Sequence, residues 1–269
     1  MCIIVIKLSG ANVPSEDTFR TCFINNPDGA GFMYKDVDGT VHIHKGFMKF
    51  SDFYSDFSSF KFNKKNTLVA HFRRATSGGR NPENTHPFPI TNNVSDLKST
   101  KCRCAYGIVH NGVISRGSEN MSDTMLFVKD ILSSPSVISN IINPDVLKLI
   151  SSYINPSRIA IMSASNVYYV GGDGWVKEEN DRLIYSNSSY INTSKVCSNS
   201  ISFDGRRWVE CKDDDGVDTY IYYSNHKKDD DSKIVNSNTS INNNLCKWCS
   251  SKNLLNNDSI CEDCMRITL

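Results

Sequence analysis

Residues 2–8 read Cys-Ile-Ile-Val-Ile-Lys-Leu and follow the initiator methionine directly. β-Branched side chains dominate this run, and such residues favour extended backbone inside a core. Lys7 interrupts the apolar stretch and no small-residue cleavage site follows it, which argues against a secretory signal. The stretch therefore predicts a buried first strand with Cys2 at its beginning.

Composition narrows the class of protein. The chain has 269 residues, with 30 Lys and Arg against 29 Asp and Glu, and a formal net charge of +1. This length permits one large domain with a small appendage, and the near-neutral charge gives no reason to expect nucleic-acid or membrane binding. No stretch approaches the roughly 18 apolar residues that cross a bilayer, so we expect a cytoplasmic protein. Ten cysteines in such a chain indicate metal binding or catalysis rather than disulfides.

Periodicity and turn residues outline further elements. The predicted strands cover residues 31–36 and 40–46 (a hairpin turning at Asp38-Gly39), 67–72, 103–109, 158–164, 167–171 and 182–186. The predicted helices cover residues 52–60 behind Ser51 as N-cap, then 122–133, 136–142 and 145–154. Strands, then helices, then strands again predict helices packed on antiparallel sheets.

The character of the sequence changes after about residue 224. A charge run at 227–231 and an Asn/Ser-rich stretch predict a flexible linker over 225–244. We therefore expect a main domain over 2–224, with its core in 2–190, and a separate tail over 245–269.

Two CxxC pairs in this tail predict a structural zinc site. Cys246 and Cys249 are separated by 11 residues from the second pair, Cys261 and Cys264. Four thiolates close a tetrahedral Zn²⁺ site without an open position, and so short a tail needs a metal to fold. We expect a small four-cysteine zinc ribbon that stabilises the chain or contacts a protein; contact with nucleic acid stays an open alternative. A third pair, Cys102 and Cys104, is interpreted as strand residues on alternating faces.

Cys2 is a candidate nucleophile, because Met1 is normally removed when the second residue is small. Cys2 would then carry a thiol and a free α-amine. The reference pKa of that amine is about 8, so it can act as an internal general base.

Four later segments and a glycine-rich turn accompany Cys2 in a fixed order. The segments read His-Phe-Arg-Arg-Ala-Thr-Ser-Gly (71–78), Asn-Thr-His-Pro-Phe (84–88), Gly-Ile-Val-His-Asn-Gly-Val-Ile (107–114) and Ser-Asp-Thr (122–124), and the turn reads Asn-Asn-Pro-Asp-Gly-Ala-Gly-Phe (25–32). Together they resemble the class II glutamine amidotransferase domain of the N-terminal nucleophile hydrolases over roughly residues 2–190. The resemblance implies an α+β fold, a four-layer αββα sandwich.

The resemblance also implies roles for individual residues. Cys2 matches the nucleophile, and Asn111 and Gly112 match the oxyanion hole. Arg73 matches the group that binds the α-carboxylate of glutamine, and Asp123 matches the group that binds its α-ammonium.

Two further positions match the substrate pocket, and two depart from the family pattern. Thr76 is expected to hydrogen-bond the substrate backbone, and His86 is expected to shape the pocket. Arg74 stands where the family commonly has an aromatic residue, and Ser77 stands where it has histidine, which leaves the exact substrate open.

The sequence thus predicts a stand-alone glutamine amidotransferase that releases ammonia for a synthase-type partner protein. One alternative is a hydrolase of γ-glutamyl peptides or conjugates with the same fold. Another, of a different class, is a catalytically silent ligand-binding scaffold recruited through the zinc tail.

Overall fold

A computed structural model describes residues 2–114, 117–118 and 120–191, and the backbone of 197–203, 206–212, 218–223 and 233–236. The chain divides into two compact units, Met1–Ile191 and Asn192–Leu269. All the predicted catalytic and substrate-binding residues belong to the first unit. The four cysteines of the predicted zinc site lie outside the described residues.

The first unit contains two antiparallel sheets. Its strands are β1 (Ile3–Lys7), β2 (Ala30–Lys35), β3 (Val41–Phe47), β4 (Leu68–Phe72), β5 (Phe88–Pro89), β6 (Lys101–Cys104), β7 (Gly107–Asn111), β8 (Arg158–Met162), β9 (Val167–Val170), β10 (Val176–Glu178) and β11 (Leu183–Tyr185). The larger sheet has seven strands in the order β10-β11-β1-β4-β2-β3-β6, and the smaller has four in the order β5-β7-β8-β9.

Helices complete the unit. They are α1 (Glu16–Asn25), α2 (Phe50–Ser59), α3 (Val94–Lys98), α4 (Asp123–Phe127), α5 (Pro135–Ile138) and α6 (Pro144–Tyr153), with a 3-10 turn at Pro82–Asn84 and a π-helical turn at Val128–Leu132. No helix in the described part of the chain has both the length and the hydropathy that crossing a membrane requires.

Strand β1 explains how the layers form. All five of its residues are buried, because alternate side chains enter two different cores. Ile3 and Val5 pack with the aromatic residues of α1 and α2, whereas Ile4 and Ile6 pack against side chains of the smaller sheet. The other face of the smaller sheet is covered by the helical segment 123–154. The layers therefore run helix, sheet, sheet, helix, which confirms the predicted helices on antiparallel sheets.

The second unit contains a four-stranded antiparallel sheet. Its strands are β12 (Cys197–Phe203), β13 (Arg206–Lys212), β14 (Asp218–Tyr223) and β15 (Lys233–Asn236), which lie in that order. Strand β15 lies within the stretch 225–244 that the sequence interpretation treats as a linker.

Several predicted elements need correction. The single strand expected over 103–109 is two strands, and β6 pairs with β3 in the larger sheet whereas β7 pairs with β8 in the smaller one. The chain therefore changes sheets at Ala105-Tyr106. The N-cap of α2 is Lys49 rather than Ser51, and α1 was not predicted although Ser15 caps it by accepting from Thr18 N–H.

The interpretation of Cys102 and Cys104 was also wrong. Residues two apart share one face of a strand. Both side chains are half-buried and pack against the core between the two sheets.

Candidate active site

Cys2 directly precedes β1 and lies against the segment that follows β4. Its side chain is only 9% exposed. The sulfur accepts a hydrogen bond from Arg74 N at 3.2 Å, and the thiol donates to Arg74 O at 3.4 Å. Asn187 Nδ2 donates to Cys2 O at 2.7 Å, which fixes the backbone of the nucleophile from the other side.

Burial controls the protonation of this thiol. It raises the pKa of Cys2, against smaller lowering effects from the Arg74 amide, the charge of the amino terminus and the Arg73 guanidinium. The thiol is therefore protonated at neutral pH, and attack on a carbonyl requires a base that removes its proton.

Arg73 follows β4 and is 3% exposed. Its backbone N–H donates to Gly29 O at 2.8 Å. Its guanidinium donates from Nη1 to Gly79 O and from Nη2 to Ser77 O, each at 2.6 Å. Burial lowers the pKa of Arg73 from its usual high value. A guanidinium has five N–H donors, so two loop contacts leave others for a ligand.

Asp28 is a site residue that the sequence interpretation did not single out. It is 4% exposed, and its carboxylate accepts from Ala75 N at 2.8 Å. Arg80 Nε donates to the same carboxylate at 3.0 Å. The backbone N–H of Asp28 donates to Arg73 O at 2.9 Å. Asp28 therefore holds the backbone on both sides of Arg74 beside the Cys2 sulfur.

Asp123 accepts hydrogen bonds from three residues, two of which are distant in the sequence. Its Oδ2 accepts from Ile114 N at 2.9 Å, and its Oδ1 accepts from Thr124 N at 2.8 Å. Ser77 Oγ donates to Oδ1 at 3.4 Å. Because Ser77 O also accepts from Arg73, one loop residue joins the two charged groups. A zwitterionic amino acid needs such a cation and anion near each other.

Asn111 is the last residue of β7, and Gly112 follows it. Asn111 is 2% exposed, and its side-chain amide lies 2.8 Å from Ser186 Oγ. Gly112 has φ +141°, and a Cβ there would lie 2.1 Å from Ser157 Oγ. Only glycine fits this position, because both the backbone angle and the space exclude a side chain.

His86 belongs to a buried cluster with His71 and His110. The His71 and His86 rings are 4.3 Å apart, and the His86 and His110 rings are 6.4 Å apart. His71 Nε2 donates to His110 O at 2.9 Å, so it ties β4 to β7 across the two sheets. His110 Nδ1 pairs with Thr124 Oγ1 at 2.8 Å, next to Asp123. The cluster thus sets the spacing between the strands that carry Arg73 and Asn111.

Thr76 lies exposed on the loop between Arg73 and Ser77. Asn84, which was not singled out from the sequence, is fully buried behind that loop. Its Nδ2 donates to Gly78 O at 2.5 Å, and its Oδ1 accepts from Ser122 N at 2.8 Å. Asn84 therefore joins the Arg73 loop to the segment that carries Asp123.

An open cleft of about 580 Å³ lies elsewhere on the first unit, and Arg103, Cys104 and Tyr106 contribute to its lining. Cys2 is not among its lining residues. Across the described residues, no group of three or more His, Cys, Asp or Glu side chains is arranged to hold a metal ion.

Searches against protein-family models and curated proteins find no match to this sequence. Among solved structures, it is similar to glutamine phosphoribosylpyrophosphate amidotransferase from B. subtilis, complexed with ADP and GMP. The identity is 15% and the TM-score is 0.47, and the matched region covers 91% of this chain and 51% of the other. A second likeness is to a structure described as the allosteric regulatory enzyme of purine biosynthesis, with 15% identity, a TM-score of 0.44, and 91% and 51% coverage. The chain thus spans about half the length of these two proteins, and likenesses of this size assign it no activity.

Proposed function

We propose that this chain is an amidohydrolase of the class II glutamine amidotransferase type, with the αββα fold of N-terminal nucleophile hydrolases and Cys2 as its nucleophile. One observation carries the proposal: hydrogen-bonded paths link Cys2 to both groups of residues that a glutaminase needs. Arg74 joins the sulfur to the loop that contains Arg73 and Ser77, and Ser77 reaches Asp123. On the other side, Ser186 joins β1 to Asn111.

The proposed reaction begins when Met1 is removed and the α-amine of Cys2 becomes free. The amine takes the thiol proton, and the sulfur attacks the side-chain amide carbon of glutamine. Asn111 Nδ2 and Gly112 N–H stabilise the oxygen of the tetrahedral intermediate. The intermediate collapses, the leaving nitrogen receives the proton from the α-ammonium, and ammonia departs. Water then attacks the thioester, which releases glutamate and restores the thiol.

Substrate binding follows from the charges at the other end of glutamine. Arg73 pairs with the α-carboxylate through a guanidinium fork, and Asp123 pairs with the α-ammonium. Thr76, on the exposed part of the same loop, hydrogen-bonds the substrate backbone, and His86 shapes the pocket from behind. We propose that the ammonia passes to a synthase-type partner protein.

The test is glutamate release from glutamine by the purified chain. Cys2→Ala is expected to abolish it, and mass analysis is expected to show that Met1 is absent. Cys22→Ala is the matched control, because Cys22 is also buried but lies in α1 within the aromatic core. Activity that survives Cys2→Ala would refute the nucleophile. A chain that retains Met1 and releases no glutamate would favour the scaffold alternative.

A second candidate function is the hydrolysis of γ-glutamyl peptides or conjugates, and the position of Arg74 is the reason to test it. Its backbone touches the Cys2 sulfur whereas its side chain is exposed. A cation placed there can reach the part of a substrate beyond the scissile amide. Turnover of glutamine and of a γ-glutamyl dipeptide by the same preparation separates the two substrates.

We also propose that Cys246, Cys249, Cys261 and Cys264 bind one structural Zn²⁺. The support is their spacing in the sequence, since four thiolates in two CxxC pairs complete a tetrahedral site. Such a site leaves no open coordination position, so the zinc takes no part in the amide chemistry.

A further inference from the structure

Ser186 connects Asn111 to the strand that carries the nucleophile. It follows β11 and is fully buried. Its Oγ accepts from Ile4 N at 2.9 Å, and its own N–H donates to Ile4 O at 3.0 Å. The same Oγ lies 2.8 Å from the Asn111 side-chain nitrogen. Ser186 therefore touches both the larger sheet, two residues from Cys2, and the end of β7 in the smaller sheet.

The hydrogen atoms in this group constrain how the Asn111 amide is oriented. Ile4 N–H can only donate, so it occupies a lone pair of Ser186 Oγ. When Asn111 Nδ2 also donates to Oγ, the described residues offer the hydroxyl proton no acceptor. Asn111 Oδ1 likewise stays buried without a hydrogen-bond partner in this part of the chain. Turning the amide by half a turn gives the hydroxyl proton an acceptor and leaves Nδ2, in place of Oδ1, as the atom that is free to donate to a ligand. Ile4 N–H then donates to Ser186 Oγ, and the Ser186 hydroxyl donates to Asn111 Oδ1.

We propose that Ser186 is a positioning residue that holds the Asn111 amide with its N–H groups towards the reacting carbonyl. In this orientation Nδ2 takes the place of the unpaired oxygen and becomes a free donor. The opposite orientation would present an amide oxygen to the developing oxyanion and repel it. The inference rests on the proposed function, since it assigns the partner of the oxyanion group in that same site.

A double-mutant cycle on the full chain tests this role. We measure kcat and KM for glutamate release with Ser186→Ala, Asn111→Ala and both changes together. Ser186→Ala is expected to lower kcat roughly 10-fold to 100-fold with little change in KM, because the donor acts on the intermediate rather than on bound glutamine. In the Asn111→Ala chain the same change should lower kcat by less than about threefold, since the group that Ser186 orients is gone.

Two controls separate positioning from a general loss of structure. Ser163→Ala removes another buried hydroxyl, in the turn between β8 and β9, and should leave kcat unchanged. Alkylation of Cys2 by iodoacetamide forms no oxyanion, so Ser186→Ala should not slow it. If Ser186→Ala does not fold, Ser186→Cys carries the same cycle, because a thiol is a weaker donor of similar size.

The outcomes distinguish the two proposals. Equal loss of kcat from Ser186→Ala with and without Asn111, or an equal loss in alkylation rate, overturns the role of Ser186 and leaves the glutaminase standing. An unaltered chain that releases no glutamate overturns the proposed function and this inference with it.

Discussion

Arg73 makes its loop contacts with only part of its guanidinium. Its two terminal nitrogens donate to the carbonyls of Ser77 and Gly79, and its backbone is fixed by Gly29. The planar group is therefore oriented before any ligand arrives. A pre-oriented fork loses less side-chain entropy when it pairs with a carboxylate.

Replacing Arg73 by lysine is expected to raise KM for glutamine roughly tenfold to hundredfold, since an ammonium cannot hold two loop carbonyls and pair bidentately. The smaller effect should fall on kcat. Steady-state kinetics on the purified chain measure both constants. Arg20→Lys is the control, because Arg20 lies on the surface of α1 with a side chain that is 50% exposed. An unchanged KM for Arg73→Lys would remove Arg73 from the substrate site.

Gly112 is expected to tolerate no side chain. Gly112→Ala combines a φ of +141° with a Cβ 2.1 Å from Ser157 Oγ. Gly79→Ala is a matched comparison, because Gly79 also has positive φ (+71°) but its nearest neighbour would be 3.6 Å away. We expect losses in free energy of unfolding of about 3 kcal/mol or more for Gly112→Ala and about 1 kcal/mol for Gly79→Ala. Urea unfolding measures both, and equal losses would contradict the clash.

At the scale of elements, the site depends on strand ends that meet. Strand β1 brings Cys2 beside β4, and the larger sheet fixes that register through the pairing of Ile3 with Phe72. Strand β7 belongs to the other sheet, and the hydrogen bond from His71 to the His110 carbonyl links it to β4. The strand ends that carry the proposed nucleophile and the proposed oxyanion group are therefore linked through contact between the two sheets.

The buried histidines between these strands predict a pH dependence of stability. Burial lowers the pKa of His71 to about 3 and also lowers the pKa values of His86 and His110. In the folded chain these rings accept protons only at lower pH than they do in the unfolded chain. The free energy of unfolding should therefore fall as pH falls from about 6.5 towards 3, by about 1.4 kcal/mol per pH unit for His71.

Urea unfolding between pH 7 and pH 5 measures this slope. His71→Gln removes one titrating ring but can still donate to the His110 carbonyl, so its slope should be smaller. A slope that does not change in His71→Gln would show that His71 is not the group responsible.

At the scale of the whole molecule, the residues proposed for amide chemistry and those proposed for zinc binding lie in different parts of the chain. Every residue proposed for amide chemistry lies between Cys2 and Asn187, within the first unit. The proposed zinc ligands lie beyond it. Metal binding and glutaminase activity should therefore be separable.

The full chain is expected to carry about one zinc per molecule by elemental analysis. Cys249→Ser should lose the zinc and keep glutamate release, whereas Cys197→Ser, outside both CxxC pairs, should keep the zinc. A chain that purifies without zinc, or a Cys249→Ser chain that retains it, would argue against the four-cysteine site.

The sequence predicted the main layers because their signals are local. The buried strand at 2–8 follows from a run of β-branched residues, and the hairpin at 31–46 follows from side-chain alternation and a turn dipeptide. Helix α1 was missed although Ser15, Glu16 and Asp17 form a capping signal ahead of it. The split of residues 103–109 between two sheets was not predictable, since partner choice depends on residues far away in the chain.

By itself, the sequence determined which residue types were available for chemistry: a cysteine behind the initiator methionine, and an arginine, an aspartate and an Asn-Gly pair in a fixed order. Only the tertiary structure decided that Cys2 lies against Arg74, that Ser77 joins Arg73 to Asp123, and that Ser186 reaches Asn111. Those contacts join residues up to 75 positions apart in the case of Asn111 and Ser186. No local pattern encodes them, because they arise only when distant strands pair within the larger sheet and when the two sheets pack face to face.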